Sequence, residues 1–577
     1  MFGRLFNDLT RRWRHDRVSV KADDARALFA EGAASGDAGR IDEAAALYRR
    51  ALSLDPGMAD AHNGLGRILA AQGRFNEAAE SFRQAVACVP TPPQSYLNLG
   101  NILLLANDLD GACSNYDVAL ALDPGFWEAL NNRAHARLQR GERAGAYDDF
   151  AAALRLRPDS AVVASNKLNG EIEKYAASPG AVLPEYREWN RRFAEPLAPA
   201  QPARAISPDP GRRLRIGYVS PDFRGHAMGY FIEPLLEHCD PAAFEITCYS
   251  NCRLADSMTA RFQALAHRWR DIVHAGDSEV AEQIAADGID LLVDLSGHSA
   301  DHRLLVFARR PAPLQFTFLG YPATTGVSAI GYRITDAYAD PPGVADAFYT
   351  ERLLRLPDCW CCFRPPADAP EIGPLPAAVN GHVTFGSFNG IMKINEGTIG
   401  TWANLLARVP GSRLVMITVA PGETERRVRA AFAASGIGEN RLELLPRIAR
   451  PDYLALRNRV DIALDPFPVN GGTTTCDSLW MGVPTVSLAG SVLAARAGMS
   501  LLSNVGLADL CAGSAEEYVA IAAALAHDLP RLQSLRGTLR QTMRASPLLD
   551  GARFVHNLET LYRNAWRDWC AQREPAS

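Results

Sequence analysis

Two patterns of apolar and polar positions divide the chain. Up to Pro158, small and apolar residues recur at helical spacing, while beyond Leu214 they gather into short apolar runs separated by helix-length stretches. In the first part, Pro56, Pro90, Pro124 and Pro158 stand 34 positions apart. Ala44, Ala78, Ala112 and Ala146 keep the same interval, as do Tyr48, Phe82, Tyr116 and Phe150, and Ala51, Ala85, Ala119 and Ala153. Gly32, Gly66 and Gly100 hold a further small position, filled by Ala134 in the fourth copy. Small residues let paired helices approach, the aromatic fills the gap between repeats, and proline ends the second helix.

This spacing is the tetratricopeptide pattern, and it predicts an α-solenoid over residues 25–158 after a leader at 1–24. The curved surface of such a stack suits extended polypeptide, so the repeats are expected to engage protein or peptide acceptors. Asn98 and Asn132 are equivalent positions that could hold a peptide backbone; the plainer reading is exposed helix asparagines. Residues 159–210 are expected to be a linker with two helical halves, broken at Ser178-Pro179-Gly180 and ending in a Pro- and Ala-rich run.

The runs from Leu214 onward predict α/β structure: two doubly wound Rossmann-like domains at 211–376 and 377–577, parted by Pro365–Pro376. Expected strands in the first are Arg215–Val219, Phe244–Tyr249, Ile289–Leu295, Leu314–Leu319 and Tyr332–Thr335. In the second they are Val383–Phe385, Leu414–Ile417, Leu442–Leu445, Asp461–Leu464 and Pro484–Leu488. Helices within Ala515–Arg567 complete the fold, the last crossing back to the first domain.

Composition changes this picture little. The 577 residues are 47% hydrophobic and 22% charged, as expected of a globular chain of several domains. A formal charge of −5 argues against a general nucleic-acid binder. No apolar run reaches membrane-spanning length, and Met1–Asp8 lacks the apolar core of a secretory signal. The eleven cysteines read as reduced, mostly buried thiols of a cytoplasmic protein. Cys359, Cys361 and Cys362, even with His298 and His302, form too incomplete a set for zinc, and no metal is expected.

Candidate chemistry clusters at strand ends. The stretch Asp465–Pro484 places Gly471-Gly472 and Thr473-Thr474-Thr475 between an apolar strand and a helix, a setting for a diphosphate, with Asp477 in the first turn as helix cap or ribose contact. After the first strand, Asp222 is placed to accept a proton and His226 to donate to a phosphate or sugar. The turn around Gly320 allows close backbone approach to a ligand. Asn389 precedes Lys393, a lone cation among apolar residues that calls for an anion, and Arg450 with Tyr453 offers a cation and an aromatic face for a base. The catalytic half has no DxD motif, so a leaving diphosphate would be neutralised by protein groups.

With these motifs in place, the chain resembles the protein O-GlcNAc transferase family over nearly its whole length. The resemblance rests on Arg215–Phe223 with His226, Arg310–Gln315 with Leu319–Pro322, Ser387–Asn389 with Lys393, and Asn470–Thr474 with Asp477. It implies tetratricopeptide repeats followed by a GT-B glycosyltransferase. Such an enzyme transfers GlcNAc from UDP-GlcNAc, with inversion, to Ser or Thr hydroxyls of proteins, and needs no cofactor beyond the donor substrate. It further implies Lys393, Thr473 and Thr474 on the diphosphate, Asp477 on the ribose, His226 near the sugar, and Asp222 as a base. The chain departs from animal members of the family at Gly390, Tyr453 and Gly472. Tyr332–Asp336 and Thr473–Cys476 with Leu488–Ser491 also resemble the Spindly-like branch, which uses GDP-fucose. The alternatives are therefore a protein O-fucosyltransferase and a non-catalytic repeat scaffold; a homo-oligomer is among the expected assembly states.

Overall fold

The computed structural model describes residues 21–88, 91–199 and 208–573; the leader up to residue 20 and the repeat proline Pro90 lie outside them. The chain forms two compact units, Met1–Arg157 and Pro158–Ser577.

In the first unit a helix over 21–37 already begins inside the stretch expected to be leader. It is followed by Ile41–Leu54, Ala59–Ala71, Phe75–Ala87, Pro93–Leu105, Leu109–Leu122, Trp127–Gln139 and Arg143–Leu156. The period has a direct steric cause. A Cβ on Gly66 would come within 2.6 Å of the Phe82 ring, and one on Gly100 within 2.6 Å of Tyr116. Tyr48 lies between Gly32 of its own helix pair and Gly64 of the next, so the aromatic does fill the gap between repeats. The asparagines differ from the expectation of exposed side chains. Asn98 is buried and donates to Asn63 Oδ1 at 3.1 Å, and Asn132 donates to Asn101 Oδ1 at 2.8 Å, so both link successive repeats.

The second unit opens with the expected linker, which is largely folded. Helices Ala161–Gly170, Ile172–Ala177 and Pro179–Trp189 run into a π-turn, Asn190–Ala194, with the break at Ser178 where the sequence placed it. Ser165 Oγ meets His298 Nδ1 at 2.9 Å, Tyr186 and Tyr321 share a hydroxyl hydrogen bond of 2.7 Å, and Tyr175 donates to the Phe348 carbonyl. The linker up to about residue 197 is thus a helical layer docked on the first sheet.

That sheet contains β1 (Leu214–Ser220), β2 (Phe244–Ser250), β3 (Arg268–Asp271), β4 (Leu291–Asp294), β5 (Leu314–Thr317), β6 (Tyr332–Asp336) and β7 (Arg352–Leu356), all parallel, in the order β3-β2-β1-β4-β5-β6-β7. The second contains β8 (Thr384–Ser387), β9 (Arg413–Met416), β10 (Leu442–Leu444), β11 (Ile462–Leu464), β12 (Thr485–Leu488) and β13 (Cys511–Ala512), again parallel, in the order β10-β9-β8-β11-β12-β13. All ten expected strands are present. β3, β7 and β13 were not expected: each lies at a sheet edge, β3 and β7 carry arginines, and β13 has only two residues.

The last helix, Gly551–Ala571, lies within the expected second domain but packs on the first sheet. Tyr562 meets Phe316 edge-on at 5.3 Å, Trp566 Nε1 donates to the Asp209 carbonyl at 2.9 Å, and Arg212 lies 4.6 Å over the Trp566 ring. Among the described residues no helix is long and apolar enough to cross a membrane.

Candidate active site

Both sheets reverse their winding beside their first strand, between β1 and β4 and between β8 and β11. Loops leaving the carboxyl ends of strands at such reversals diverge and open a crevice. Asp222 and His226 follow β1, Asn389 and Lys393 follow β8, and Gly472–Asp477 follow β11, whereas Gly320 follows β5 and Arg450 and Tyr453 follow β10.

In the first lobe β1 ends at Ser220, whose Oγ accepts the Asp222 amide and sets the turn. Asp222 is 9% exposed, and its Oδ1 lies 3.4 Å from His226 Nδ1. The Met228 amide approaches the same nitrogen at 3.3 Å. Nδ1 can donate to Asp222 or accept from Met228, so the proton on His226 decides which contact is made. Burial pushes Asp222 above the ordinary carboxylate range, against the pull of His226 and Arg224, and pushes His226 below the ordinary imidazole range, against the pull of Asp222.

In the second lobe the stretch after β8 carries buried Asn389 and then a 3-10 turn, Ile391–Lys393. The loop after β11 begins with buried Asp465 and ends in the helix Thr473–Trp480. Lys393 Nζ donates to the Asn470 carbonyl at 2.7 Å, while the next amide, that of Gly471, donates to Asp465 Oδ1 at 2.7 Å. Thr474 Oγ1 donates to Asn389 Oδ1 at 3.1 Å. A Cβ on Gly471 would overlap Thr474 Oγ1 and come within 3.0 Å of Asp465, so a side chain there would displace the Thr474 hydroxyl. At Gly472 a Cβ would meet only the Trp360 ring, at 3.9 Å. The amides of Thr475 and Cys476 both turn back to the Gly472 carbonyl; those before them face out of the helix start, as first-turn amides do. Burial lowers the proton affinity of Lys393, against the attraction of Asp465, and raises Asp465 to about 7, against bonds from Ser487 and Gly471.

The lobes meet at this helix start. Thr473 Oγ1 reaches the Ala227 carbonyl, next to His226, at 3.5 Å. Arg450 binds Asp477 through both terminal nitrogens, at 2.6 and 2.7 Å, and stacks over Tyr230 of the first lobe at 4.8 Å.

Lys393, Asn389, Gly472, Thr473 and Thr474 therefore converge, and Thr473 brings them to the loop of Asp222 and His226. Three expectations change. A Cβ on Gly320 would overlap the Leu295 carbonyl oxygen, so packing between two loops of the first lobe already requires this glycine. Tyr453 is occupied by protein: Arg457 lies 4.2 Å over its ring, Phe388 meets it edge-on, and its hydroxyl donates to the Phe388 carbonyl. Asp477, fully buried, has both oxygens engaged by Arg450 and so supports the helix before it meets any ribose. His298 is a core residue, with Nδ1 on Ser165 and Nε2 on the Thr325 carbonyl. Among the described residues no three His, Cys, Asp or Glu side chains gather to hold a metal. The sequence assigned no role to Asp465, Asn470 or Tyr230; the signal for Asp465 was a carboxylate directly after a fully apolar strand.

Paired doubly wound lobes, with the helix start of one in contact with the Asp–His loop of the other, form a GT-B glycosyltransferase fold. The pattern of glycosyl transferase family 41 matches residues 199–362 and 375–558, and a tetratricopeptide repeat pattern matches residues 29–93. The chain belongs to glycosyl transferase family 41. A Solanum lycopersicum protein named "Probable UDP-N-acetylglucosamine--peptide N-acetylglucosaminyltransferase SPINDLY" is 43% identical over 393 residues, 67% of this chain and 42% of that one. An Arabidopsis thaliana protein of the same description, SEC, is 31% identical over 375 residues, 63% of this chain and 38% of that one. The chain thus spans less than half the length of these curated relatives. The solved structure of a Thermobaculum terrenum O-GlcNAc transferase mutant superposes with a TM-score of 0.76 at 37% identity, covering 96% of this chain and 99% of that one.

Proposed function

We propose that the chain is an inverting glycosyltransferase that moves GlcNAc from UDP-GlcNAc to Ser or Thr hydroxyls of proteins. The carrying observation is the placement of Lys393 and the Thr473–Trp480 helix start at one strand-order reversal, with Thr473 in contact with the loop of Asp222 and His226 at the other. Lys393 keeps two N–H groups beyond the one it gives to Asn470, and the helix start adds outward amides and the Thr473 and Thr474 hydroxyls. In this reading the groups that meet the leaving diphosphate belong to the chain itself.

The acceptor oxygen attacks the anomeric carbon from the face opposite the diphosphate. The bond from that carbon to the diphosphate oxygen breaks, its electron pair leaves with the phosphate, and the hydroxyl proton passes to a base. Asp222, whose proton affinity burial raises, is the base in this reading, and His226 contacts the sugar–phosphate end of the donor. The names of the relatives support a UDP-GlcNAc donor and a peptide acceptor, and the repeats are the surface proposed to engage acceptor proteins.

The test incubates purified chain with labelled UDP-GlcNAc, and separately with GDP-fucose, in the presence of a cell extract, and follows label into protein. Label from UDP-GlcNAc that is lost in Lys393→Ala supports the proposal. Label from GDP-fucose alone would keep the residues in their roles and change the donor. No label from either, with protein partners still captured, would identify a scaffold.

A further inference from the structure

The peptide group joining Asn470 to Gly471 is held from both sides. Its carbonyl oxygen accepts from Lys393 Nζ and its N–H donates to Asp465 Oδ1, each at 2.7 Å. A trans peptide points these two atoms in opposite directions, so cation, peptide and carboxylate form one chain of hydrogen bonds that polarise one another. We infer that Asp465 is a positioning residue for donor binding: through this peptide it fixes Lys393 toward the diphosphate and keeps the lysine charged. The inference rests on the reading that Lys393 meets a diphosphate.

The surroundings of Asp465 are built for this. Oδ2 accepts from Ser487 Oγ at 2.7 Å, and the backbone carbonyl of Asp465 accepts from Tyr518 at 3.1 Å. Gly498 packs so closely that a Cβ there would lie 3.1 Å from Oδ2. Among the described residues the titratable groups that interact with Asp465 are Lys393, Cys511 and Tyr518; burial raises the thiol and the phenol above their ordinary values, so both are neutral near neutral pH. Lys393 is therefore the only cation of this set. Burial lowers its proton affinity and the attraction of Asp465 opposes that fall. Without the carboxylate, the ammonium would give up its proton at a lower pH.

The test is calorimetric titration of the full chain with UDP from neutral pH upward until wild type loses binding. Wild type, Lys393→Ala, Asp465→Asn and Ser487→Ala are compared; the ionisation of UDP is common to all and cancels. Asp465→Asn keeps an oxygen for the Gly471 amide and removes the charge, while its NH2 group takes the place of the oxygen that accepts from Ser487 and can donate to that hydroxyl. Its alkaline loss of UDP binding is expected about one pH unit below that of wild type. Ser487→Ala, which leaves the carboxylate less well solvated, shifts the same limb in the same direction by less, and serves if Asp465→Asn does not fold. An Asp465→Asn or folded Ser487→Ala profile that superposes on wild type, while Lys393→Ala has lost UDP, would overturn the role of Asp465. Equal UDP binding by Lys393→Ala and wild type would instead overturn the diphosphate reading beneath it.

Discussion

Arg450 and Tyr230 come from opposite lobes and stack with the guanidinium 4.8 Å from the ring centroid. The same guanidinium carries the bidentate pair with Asp477, whose side chain is 0% exposed against 30% for Arg450. The ion pair that braces the helix start therefore also ties the second lobe to the first. Removing Arg450 leaves a buried carboxylate that, among the described residues, has only Arg457, at 3.9 Å, as a neighbouring cation. Arg450→Ala is expected to cost about 3 kcal/mol of stability in the catalytic unit, the lower end for breaking a buried pair because Arg450 is partly exposed. Arg450→Lys, which keeps the charge beside Asp477 but loses the two-pronged contact, is expected to cost less than Arg450→Ala. Thermal unfolding of wild type and the two variants checks the order.

The histidine under the helical linker gives a pH-dependent outcome. His298 is fully buried, and burial lowers its folded-state value to about 3. The unfolded chain binds a proton at this site near about pH 6.5, the ordinary imidazole value, while the folded chain resists it. The contribution of His298 to stability is thus complete above that value and is lost as pH falls toward about 3. The loss is at most about 1.4 kcal/mol per pH unit. Denaturant unfolding of wild type and His298→Gln between those values should show a shallower acid decline in the variant.

Three glycines separate packing from chemistry. A Cβ at Gly320 would strike backbone, the Leu295 carbonyl, so Gly320→Ala is expected to lower the unfolding midpoint of the catalytic unit. At Gly471 the obstacle includes the Thr474 hydroxyl, a side chain that can rotate away. Gly471→Ala should therefore stay folded and lose donor affinity. Gly472, at φ −103 with its nearest neighbour at 3.9 Å, accepts alanine with little change in the unfolding midpoint, so any fall in UDP affinity there reports on the donor site. Circular dichroism melts and UDP titration of the three variants separate these outcomes.

Much of this was legible because the signals are periodic or local. The 34-residue interval reports the glycine–aromatic contacts of the helix pairs, and the buried strands appear as apolar runs. Lys393 and Thr473–Thr475 could be singled out because a lone cation and a Gly-Gly-Thr turn are costly or distinctive wherever they occur. The edge strand β3 was hidden because Arg268, Trp269, Arg270 and Asp271 need not be apolar where one side of the sheet is open. Gly320, Tyr453 and Asp477 were placed in the donor site by local pattern, but their neighbours are Leu295, Phe388 and Arg450, residues distant in sequence. Asp465 was passed over for the same reason, since its partners Lys393, Gly471 and Ser487 meet only when β8, β11 and β12 pair.

In the proposed reading Lys393 and the start of the Thr473–Trp480 helix hold the diphosphate of a sugar nucleotide. Calorimetric titration of UDP into wild type, Lys393→Ala and Arg450→Ala at neutral pH tests it most directly. The account predicts binding by wild type and a loss of about tenfold or more in Lys393→Ala, the effect of removing one charged hydrogen-bond donor from an anion. Arg450→Ala should weaken binding less wherever it remains folded. Equal affinity for UDP in wild type and Lys393→Ala would mean that Lys393 does not meet the diphosphate.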